Sequence, residues 1–499
     1  MTTEPAPTPP APQQPGTMPN PFAGIPLGDY VRDAVALVLL LVSLALPWSL
    51  DGLMGTRGAT GHIEVVLITL LSVLSLALTY LARAQVFGPA FTAGKAALIR
   101  GAANLPYVLL VVIYLVIDAS KGSDEWYISG GIGIAAAFGL SGAILAGMPR
   151  QSETDSLAGW QVSVMRQGTV GLAALWTVLS FLNLILSMVS YREYKGTDLA
   201  MVAIAVLIPL AALAAATLGL FWRNASARLA LFVGALTVLG TSVIDWLTGW
   251  DISGIGMESL HKPGLNVLPL LALGAMVASP LVRTGMKHMA PSERDRRAAT
   301  WLMLAIAGIA GASIISTILG LVGDNYSSTG MAIGYIVTLI LTAAAVLVAA
   351  TFVRQNFTGA RLIALGAVGA TIVIGIVSLV LVDKFSRIGS LDIIVHIGLP
   401  LAVIALLALS MRGAPVAATA SAPPAPQATP APVAPAHPRA DEAADPATSA
   451  QALHEIATTI PELRAAVAAN PSAYPELLEW MGQLGEAAVD AAIAARAKD

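Results

Sequence analysis

Val116-Ile117-Asp118, Val243-Ile244-Asp245 and Leu381-Val382-Asp383 each end a long apolar run with an aspartate. Arginines recur in register with these stretches. This pattern of arginines and aspartates occurs three times, each time with four apolar runs. One set of arginines lies at the start of the first run in each copy, with spacings of 134 and 131 residues: Arg32, Arg166 and Arg297. A second set closes the fourth run, with spacings of 133 and 129 residues: Arg150, Arg283 and Arg412. Landmarks repeated at this period predict three structural units, residues 30–150, 160–283 and 297–412.

The composition favours a chain embedded in lipid. Only 11% of the 499 residues are charged and 56% are hydrophobic, whereas soluble proteins carry about 25% charged residues. A helix that crosses a membrane needs about 20 mainly apolar residues. Twelve runs of this kind lie near residues 31–50, 63–83, 101–117, 127–148, 168–190, 199–221, 228–247, 265–283, 299–322, 330–353, 361–382 and 391–411. We therefore predict an all-α, polytopic membrane protein with about twelve transmembrane helices in three parallel four-helix repeats.

The basic residues of the loops predict the orientation of these helices. The loops after even-numbered helices hold fourteen: Arg83, Lys95, Arg100, Arg150, Arg166, Arg223, Arg228, Arg283, Lys287, Arg294, Arg296, Arg297, Arg354 and Arg361. The loops after odd-numbered helices hold seven: Arg57, Lys121, Arg192, Lys195, Lys262, Lys384 and Arg387. Lysine and arginine accumulate on the cytoplasmic side of membrane proteins. This asymmetry predicts a multi-pass protein of the inner (plasma) membrane with both termini in the cytoplasm.

Three segments outside the apolar runs have compositions of their own. Residues 1–28 carry nine prolines, which predicts a disordered tail, because such a segment cannot bury a core. Residues 413–450 consist mostly of alanine and proline and are typical of a linker. Residues 451–499 contain regularly spaced apolar side chains and two Pro-Glu-Leu sequences that suit helix starts, so we predict a small cytoplasmic helical module there.

This module resembles the variant leucine-rich repeat family. The similarity lies in the segments 461–471 (PELRAAVAANP) and 474–478 (YPELL). The resemblance implies alternating α and 3₁₀ helices and a role in protein–protein contact, and it points to Leu463, Arg464, Leu477 and Trp480 as partner-binding residues. The chain has no cysteine, so the iron–sulfur cluster of part of that family is not expected. With seven acidic and three basic residues, the module favours a basic or helical protein surface as its partner.

The three aspartates form a candidate outer-face polar site. A carboxylate at the C-terminal end of a helix faces the negative end of the helix dipole, so its recurrence needs a reason. Asp118, Asp245 and Asp383 either converge where the three units meet, as a site for a cation or substrate, or recur because the unit was duplicated. The first alternative requires the carboxylates to lie within about 6 Å of one another, the range of strong coupling.

Other polar residues near helix ends have two interpretations each. Six arginines flank helices 2 and 3 of each unit and either bind anionic lipid headgroups or only set the topology: Arg83, Arg100, Arg223, Arg228, Arg354 and Arg361. His62 and Glu64 either bind a metal or relay protons, or extend to the membrane surface, and their i, i+2 spacing places them on different helix faces. His396 lies slightly inside the last helix.

No phosphate-binding loop, HExxH motif or nucleophile elbow is present, which disfavours an enzyme. We expect a non-enzymatic integral membrane protein of scaffold or transporter-like type, without cofactor, metal or nucleic acid. Its expected partners are membrane lipids and a cytoplasmic protein bound by residues 451–499. One alternative is a secondary transporter of a small solute or ion, which requires a hydrated cavity with ionisable residues. A second is a lipid-handling membrane enzyme, which requires acidic residues around an outer groove.

Overall fold

The fold is all-α apart from one short hairpin. The computed structural model describes residues 22, 24–50, 56–120, 131–157, 159–193, 196–248, 258–262, 267–355, 358–385, 390–412 and 438–496. The chain divides into two compact units between residues 415 and 416. Residues 1–21, most of the predicted tail, and residues 413–437 of the predicted linker lie outside the described residues.

The first unit contains fifteen described helices and the hairpin. Its elements are α1 (Leu27–Ala45), β1 (Pro47–Leu50), β2 (Thr56–Gly58), α2 (Ile63–Leu76), α3 (Leu78–Arg83), α4 (Ala93–Ser120), α5 (Ile134–Gly147), α6 (Gly159–Ser190), α7 (Gly196–Phe221), α8 (Ala225–Thr248), α9 (Val267–Val277), α10 (Pro280–Thr284), α11 (Pro291–Val322), α12 (Thr329–Arg354), α13 (Thr358–Phe385), α14 (Ser390–Ile393) and α15 (Leu399–Arg412). A π-helical turn over Ile394–Gly398 joins the last two.

Nine helices of the described chain are long and apolar enough to cross a membrane, so the predicted count of twelve is not confirmed. Two of the predicted runs give shorter helices. α9 ends at Val277 because Pro280 starts α10, and proline disfavours helical geometry in the residue before it. α5 begins only at Ile134 because Ile132 is extended and forms bridges with Ser49 and Glu258. The run 31–50 likewise ends in β1 instead of a helix.

The short helices α5 and α9 lie in the centre of the packing. All fourteen residues of α5 are buried, and the helix packs against α1, α4 and α9. Glycine permits this closeness: a Cβ atom on Gly139 would lie 1.6 Å from the Tyr107 hydroxyl, and one on Gly274 would lie 2.2 Å from Cβ of Ala235. Small residues at helix contacts are expected in lipid, where close packing contributes much of the attraction. The largest of the three described apolar clusters of this unit is thus built around two helices that have no exposed face.

The C-terminal unit is a small helical module of α16 (Ala440–Ala444), α17 (Ala450–Thr459), α18 (Arg464–Ala469), α19 (Pro475–Gln483) and α20 (Ala487–Arg496), with a 3₁₀ turn over Pro461–Leu463. It begins before the predicted boundary at residue 451. Ala443 of α16 is buried in its core, and the Asn470 amide donates to the carbonyls of Ala443 and Asp445 at 2.9 Å each. Part of the predicted linker therefore belongs to the folded module.

Candidate functional sites

A cluster of buried charges joins three helices and the turn after α5 at one end of the first predicted unit. Arg100 of α4 donates from Nη1 and Nη2 to the two carboxylate oxygens of Glu153, at 2.8 and 2.7 Å. Arg150 pairs with Asp33 of α1 at 2.8 Å, and its Nη1 lies 3.5 Å from Glu153. Thr79 of α3 donates to Glu153 at 2.7 Å and accepts from both arginines. We call these five residues the ionic cluster.

The ionic cluster holds its central carboxylate charged. Glu153 is fully buried, and burial alone raises a carboxyl pKa. The hydrogen bonds and charge of Arg100, together with the charge of Arg150, outweigh this effect and lower the pKa of Glu153 to about 2. A charged, fully bonded group of this kind ties helices together.

Two more residues of α1 secure the end of α5 beside the cluster. Arg32 donates to the carbonyls of Leu145, Met148 and Pro149. Asp29 accepts from the backbone N–H groups of residues 151 and 152, at 2.9 and 3.0 Å. The last carbonyls of a helix lack partners within the helix, so Arg32 supplies bonds that α5 cannot make itself.

Three of the predicted lipid contacts, like Arg32, donate to carbonyl groups near the end of another helix. Each lies near the start of the third helix of a predicted unit and donates to a carbonyl near the end of the fourth helix. The pairs are Arg100 with Ala146, Arg228 with Val277 and Arg361 with Ser410. Arg100 is fully buried and Arg228 is 8% exposed. The lipid prediction is therefore wrong for Arg100, and Arg228 presents little surface to a headgroup.

The other three predicted lipid contacts lie at the ends of second helices. Arg83 is half-buried and its Nη2 is 3.4 Å from the carbonyl of Ser152. Arg223 is exposed, has a φ of +57°, and donates from Nε to Gly285 O at 2.5 Å. Arg354 is exposed. Arg223 and Arg354 thus present surface that a headgroup can reach.

The predicted aspartate site does not have a common environment. Asp118 is 7% exposed and accepts from the backbone of Gly131 and Leu260 and from the hydroxyl of Ser259, at 2.7, 3.1 and 2.9 Å. Asp383 is exposed, and the side chain of Asp245 lies outside the described residues. Asp118 ties the end of α4 to two loops, and this bonding accounts for its burial without a ligand.

Glu258, a residue that the sequence analysis missed, completes that tie. It is fully buried, its backbone exchanges two hydrogen bonds of 2.7 Å with Ile132, and its carboxylate accepts from the first N–H groups of α9. A negative charge is favourable at a helix N-terminus. Glu258, Glu153 and Asp33 belong to no recognisable motif, and their only sequence signal is their position beside apolar runs.

His62 and Glu64 contact each other, contrary to prediction. Their Nδ1 and Oε1 atoms lie 3.4 Å apart because His62 precedes α2 in extended geometry, so helical spacing does not apply to the pair. The Tyr114 hydroxyl bonds to both, and Ser49 Oγ lies 3.1 Å from His62 Nε2. Hydroxyl, imidazole and carboxylate follow one another as in serine hydrolases. Here, however, the Tyr114 hydroxyl contacts both the imidazole and the carboxylate. The 3.4 Å between His62 Nδ1 and Glu64 Oε1 also exceeds the distance of a catalytic hydrogen bond.

His396 is a buried titratable group in the π-helical turn. It is 0% exposed, and neither ring nitrogen has a hydrogen-bond partner among the described residues. The ring of Tyr335 lies 6.2 Å away, and the Tyr335 hydroxyl donates to Asp392 at 2.5 Å. Within the described residues, no group of three or more His, Asp or Glu side chains is arranged to hold a metal ion.

The C-terminal helical module buries two of its four predicted partner-binding residues. Leu477 is 1% and Leu463 is 8% exposed, and both belong to the module core. That part of the prediction is wrong, because these leucines have almost no surface for a partner. Arg464 and Trp480 are partly buried, with the guanidinium 5.8 Å from the centre of the indole ring and paired with Glu486 at 2.5 Å.

Two family models match the chain. The model for the domain of unknown function DUF7937 matches residues 29–419. The model for the Leucine Rich Repeat Variant domain matches residues 437–497, which confirms the resemblance of the module. No curated protein and no solved structure matches the chain.

Proposed function

The chain belongs to the family of the domain of unknown function DUF7937, and on that premise we propose that it is a non-enzymatic integral membrane protein of scaffold or transporter-like type. Its membrane unit anchors the Leucine Rich Repeat Variant module at the cytoplasmic face, where the module binds a protein partner. The proposal includes twelve helices in three parallel repeats in the inner membrane, with both termini cytoplasmic. The three arginine-to-carbonyl bonds at equivalent helix ends support the repeat.

The surface of the module is the observation that carries this proposal. Trp480 of α19 is half-buried between Arg464 and the exposed His454, and the Tyr474 hydroxyl bonds to His454 Nδ1 at 3.1 Å. We call these four residues the tail surface. Aromatic residues and arginine dominate the binding energy of protein interfaces. Beneath them the core is closed by buried leucines, so the surface is held rigidly for a partner.

Site-specific photo-crosslinking in cells tests the tail surface. A benzophenone amino acid is placed in the full-length protein at His454 or Trp480. Matched controls carry it at Asp441, which is exposed on α16, or at Ser472, which is exposed between α18 and α19.

We expect one discrete adduct from the two surface positions and none from the controls. That adduct is then lost when Arg464 is changed to Ala, because the stacked guanidinium no longer supports the indole. Absence of any discrete adduct from His454 and Trp480, in protein that reaches the membrane, contradicts the scaffold proposal.

A second candidate function is secondary transport, favoured by His396. An ionisable side chain within a transmembrane segment is costly and commonly marks an ion pathway. The buried imidazole, whose nitrogens have no hydrogen-bond partner in the part of the chain that the structure describes, lies near the Tyr335–Asp392 hydrogen bond and fits proton binding. Proton uptake into proteoliposomes that is lost on His396→Asn supports transport, whereas equal leak with and without the protein excludes this candidate.

A further inference from the structure

An open groove lies in the larger compact unit, between the start of α11 and the end of α12. Its volume is about 440 Å³, and it also reaches the start of α8. Its lining includes three arginines and one acid: Arg296, Arg297, Arg354 and Glu293. We call this the basic groove. Arg354 is one of the predicted lipid contacts, but its neighbours in the groove were not predicted, because the walls come from segments about 60 and 70 residues apart in sequence.

The basic groove retains an excess of positive charge. Glu293 accepts from both Arg296 and Arg297, and Arg296 also donates to the carbonyls of Val353 and Arg354, at 2.9 and 3.2 Å. Glu293 therefore neutralises only one of the two positive charges that it contacts. Arg354 is exposed and has no ion-pair partner in the described part of the chain, and the Arg297 side chain is 58% exposed. Two formal positive charges remain available to an anion.

The groove continues from charged to apolar along one face of α11. Arg297, Trp301 and Leu304 follow at i, i+4 and i+7, the spacing of one helix face. At 1.5 Å per residue, they span about 10 Å along the axis. Trp301 is 44% and Leu304 is 39% exposed. Tryptophan is enriched at the headgroup level of membranes. The lining of the groove therefore changes from charged to apolar at the depth where a phospholipid changes from headgroup to acyl chain.

We propose that the basic groove binds an anionic phospholipid of the cytoplasmic leaflet. Its phosphate lies between Arg297 and Arg354, and its acyl chain follows Trp301 and Leu304. A free phosphate ion would bind the same arginines but would make no contact with the exposed Trp301 and Leu304. The geometry therefore favours the lipid. The inference rests on the proposed membrane orientation and concerns a site separate from the tail surface.

Lipid retention by the purified full-length protein tests this site. The protein is equilibrated in detergent with equal amounts of phosphatidylglycerol and phosphatidylcholine, and bound lipid is counted by native mass spectrometry. The test variant is Arg297→Gln/Arg354→Gln. The matched control is Arg283→Gln, an exposed arginine of α10 that does not line the groove.

We expect the wild-type protein and the control to prefer phosphatidylglycerol, and the double variant to lose about tenfold or more in affinity for it, since charge-assisted hydrogen bonds are removed. Trp301→Ala is expected to weaken lipid binding while leaving competition by inorganic phosphate unchanged. Equal loss in the double variant and the control overturns the proposal, as does phosphate binding at the groove without lipid preference. The crosslinks of the tail surface are independent of this result, so each proposal can fail alone.

Discussion

Arg100 and Glu153 form a two-point ion pair in which both side chains are completely buried. The pair joins α4 to the turn that follows α5, across 53 residues of sequence. Burying two charges is costly and is offset only when the geometry is good and the remaining lone pairs are bonded. Thr79 and Arg150 supply those bonds, so the pair fixes how the helices meet at this end of the molecule.

Neutralising the carboxylate of this pair should destabilise the protein strongly. Glu153→Gln removes the carboxylate that pairs with the buried Arg100, whereas Arg150 keeps Asp33, and we expect the free energy of unfolding to fall by about 3–5 kcal/mol. Denaturant unfolding in detergent measures the change. Asp155→Asn, in the same turn but exposed, is the control and should change stability by no more than about 0.5 kcal/mol. Equal effects of the two variants would show that the ionic cluster does not stabilise the fold.

The same carboxylate predicts an acid limb of stability. In the folded protein its pKa is about 2, below the ordinary value of 4.5, so the unfolded chain binds more protons between these values. The stabilisation is complete above pH 4.5 and is lost as the pH falls towards 2. Thermal unfolding between about pH 6 and pH 3 should therefore show a steeper loss in the wild-type protein than in Glu153→Gln. Parallel curves for the two proteins would refute this assignment.

Asp118 and Asp383 should respond differently to substitution. Asp118→Ala removes the acceptor of three hydrogen bonds and leaves buried N–H groups unpaired, at a cost of about 1–3 kcal/mol for each such group. Asp383→Ala changes an exposed side chain and should cost no more than about 0.5 kcal/mol. Unfolding curves of the two variants decide the matter. Similar large losses would favour the shared site that the three repeated aspartates suggested.

Ser49 should not behave as a catalytic nucleophile. Its hydroxyl reaches His62, but the imidazole is shared between Tyr114 and Glu64, so the base is not oriented by the carboxylate alone. We expect a fluorophosphonate probe to leave the protein unlabelled in membranes, with a known serine hydrolase as the positive control. Covalent labelling that disappears in Ser49→Ala would instead support the lipid-handling enzyme.

The apolar runs predicted where helices occur, because burial in lipid leaves few alternatives to a helix. They failed where local chemistry interrupts the pattern. Pro280 divides one run, and the bridges of Ile132 to Ser49 and Glu258 shorten another. Hydropathy averaged over a run does not register either event, since one proline or one extended isoleucine barely changes the mean of about 20 residues. The length of α5 therefore became clear only from the structure.

The ionic cluster could not be predicted, because its members come from three helices and a turn, and their pairing depends on the packing. Arg100 looked like one of several basic residues at a helix end, and Glu153 like an acid in a loop. His62 was misassigned for a different reason: the helical rule was applied one residue before the helix starts. In the module, Leu463 and Leu477 carried the family resemblance because they form its core, which removes them from its surface.

The orientation of the chain is the central claim, since both the tail surface and the basic groove require the cytoplasm. The protein has no cysteine, so single introduced cysteines report without background. The positions are Asp155, Lys287 and Gln355 at the basic end, Ser472 in the module, and Thr60, Glu193 and Asn325 at the opposite end, all exposed. With a membrane-impermeant maleimide, Thr60, Glu193 and Asn325 should react in intact cells, and the other four only after permeabilisation. Reaction of Ser472 or the basic-end positions in intact cells would contradict the account.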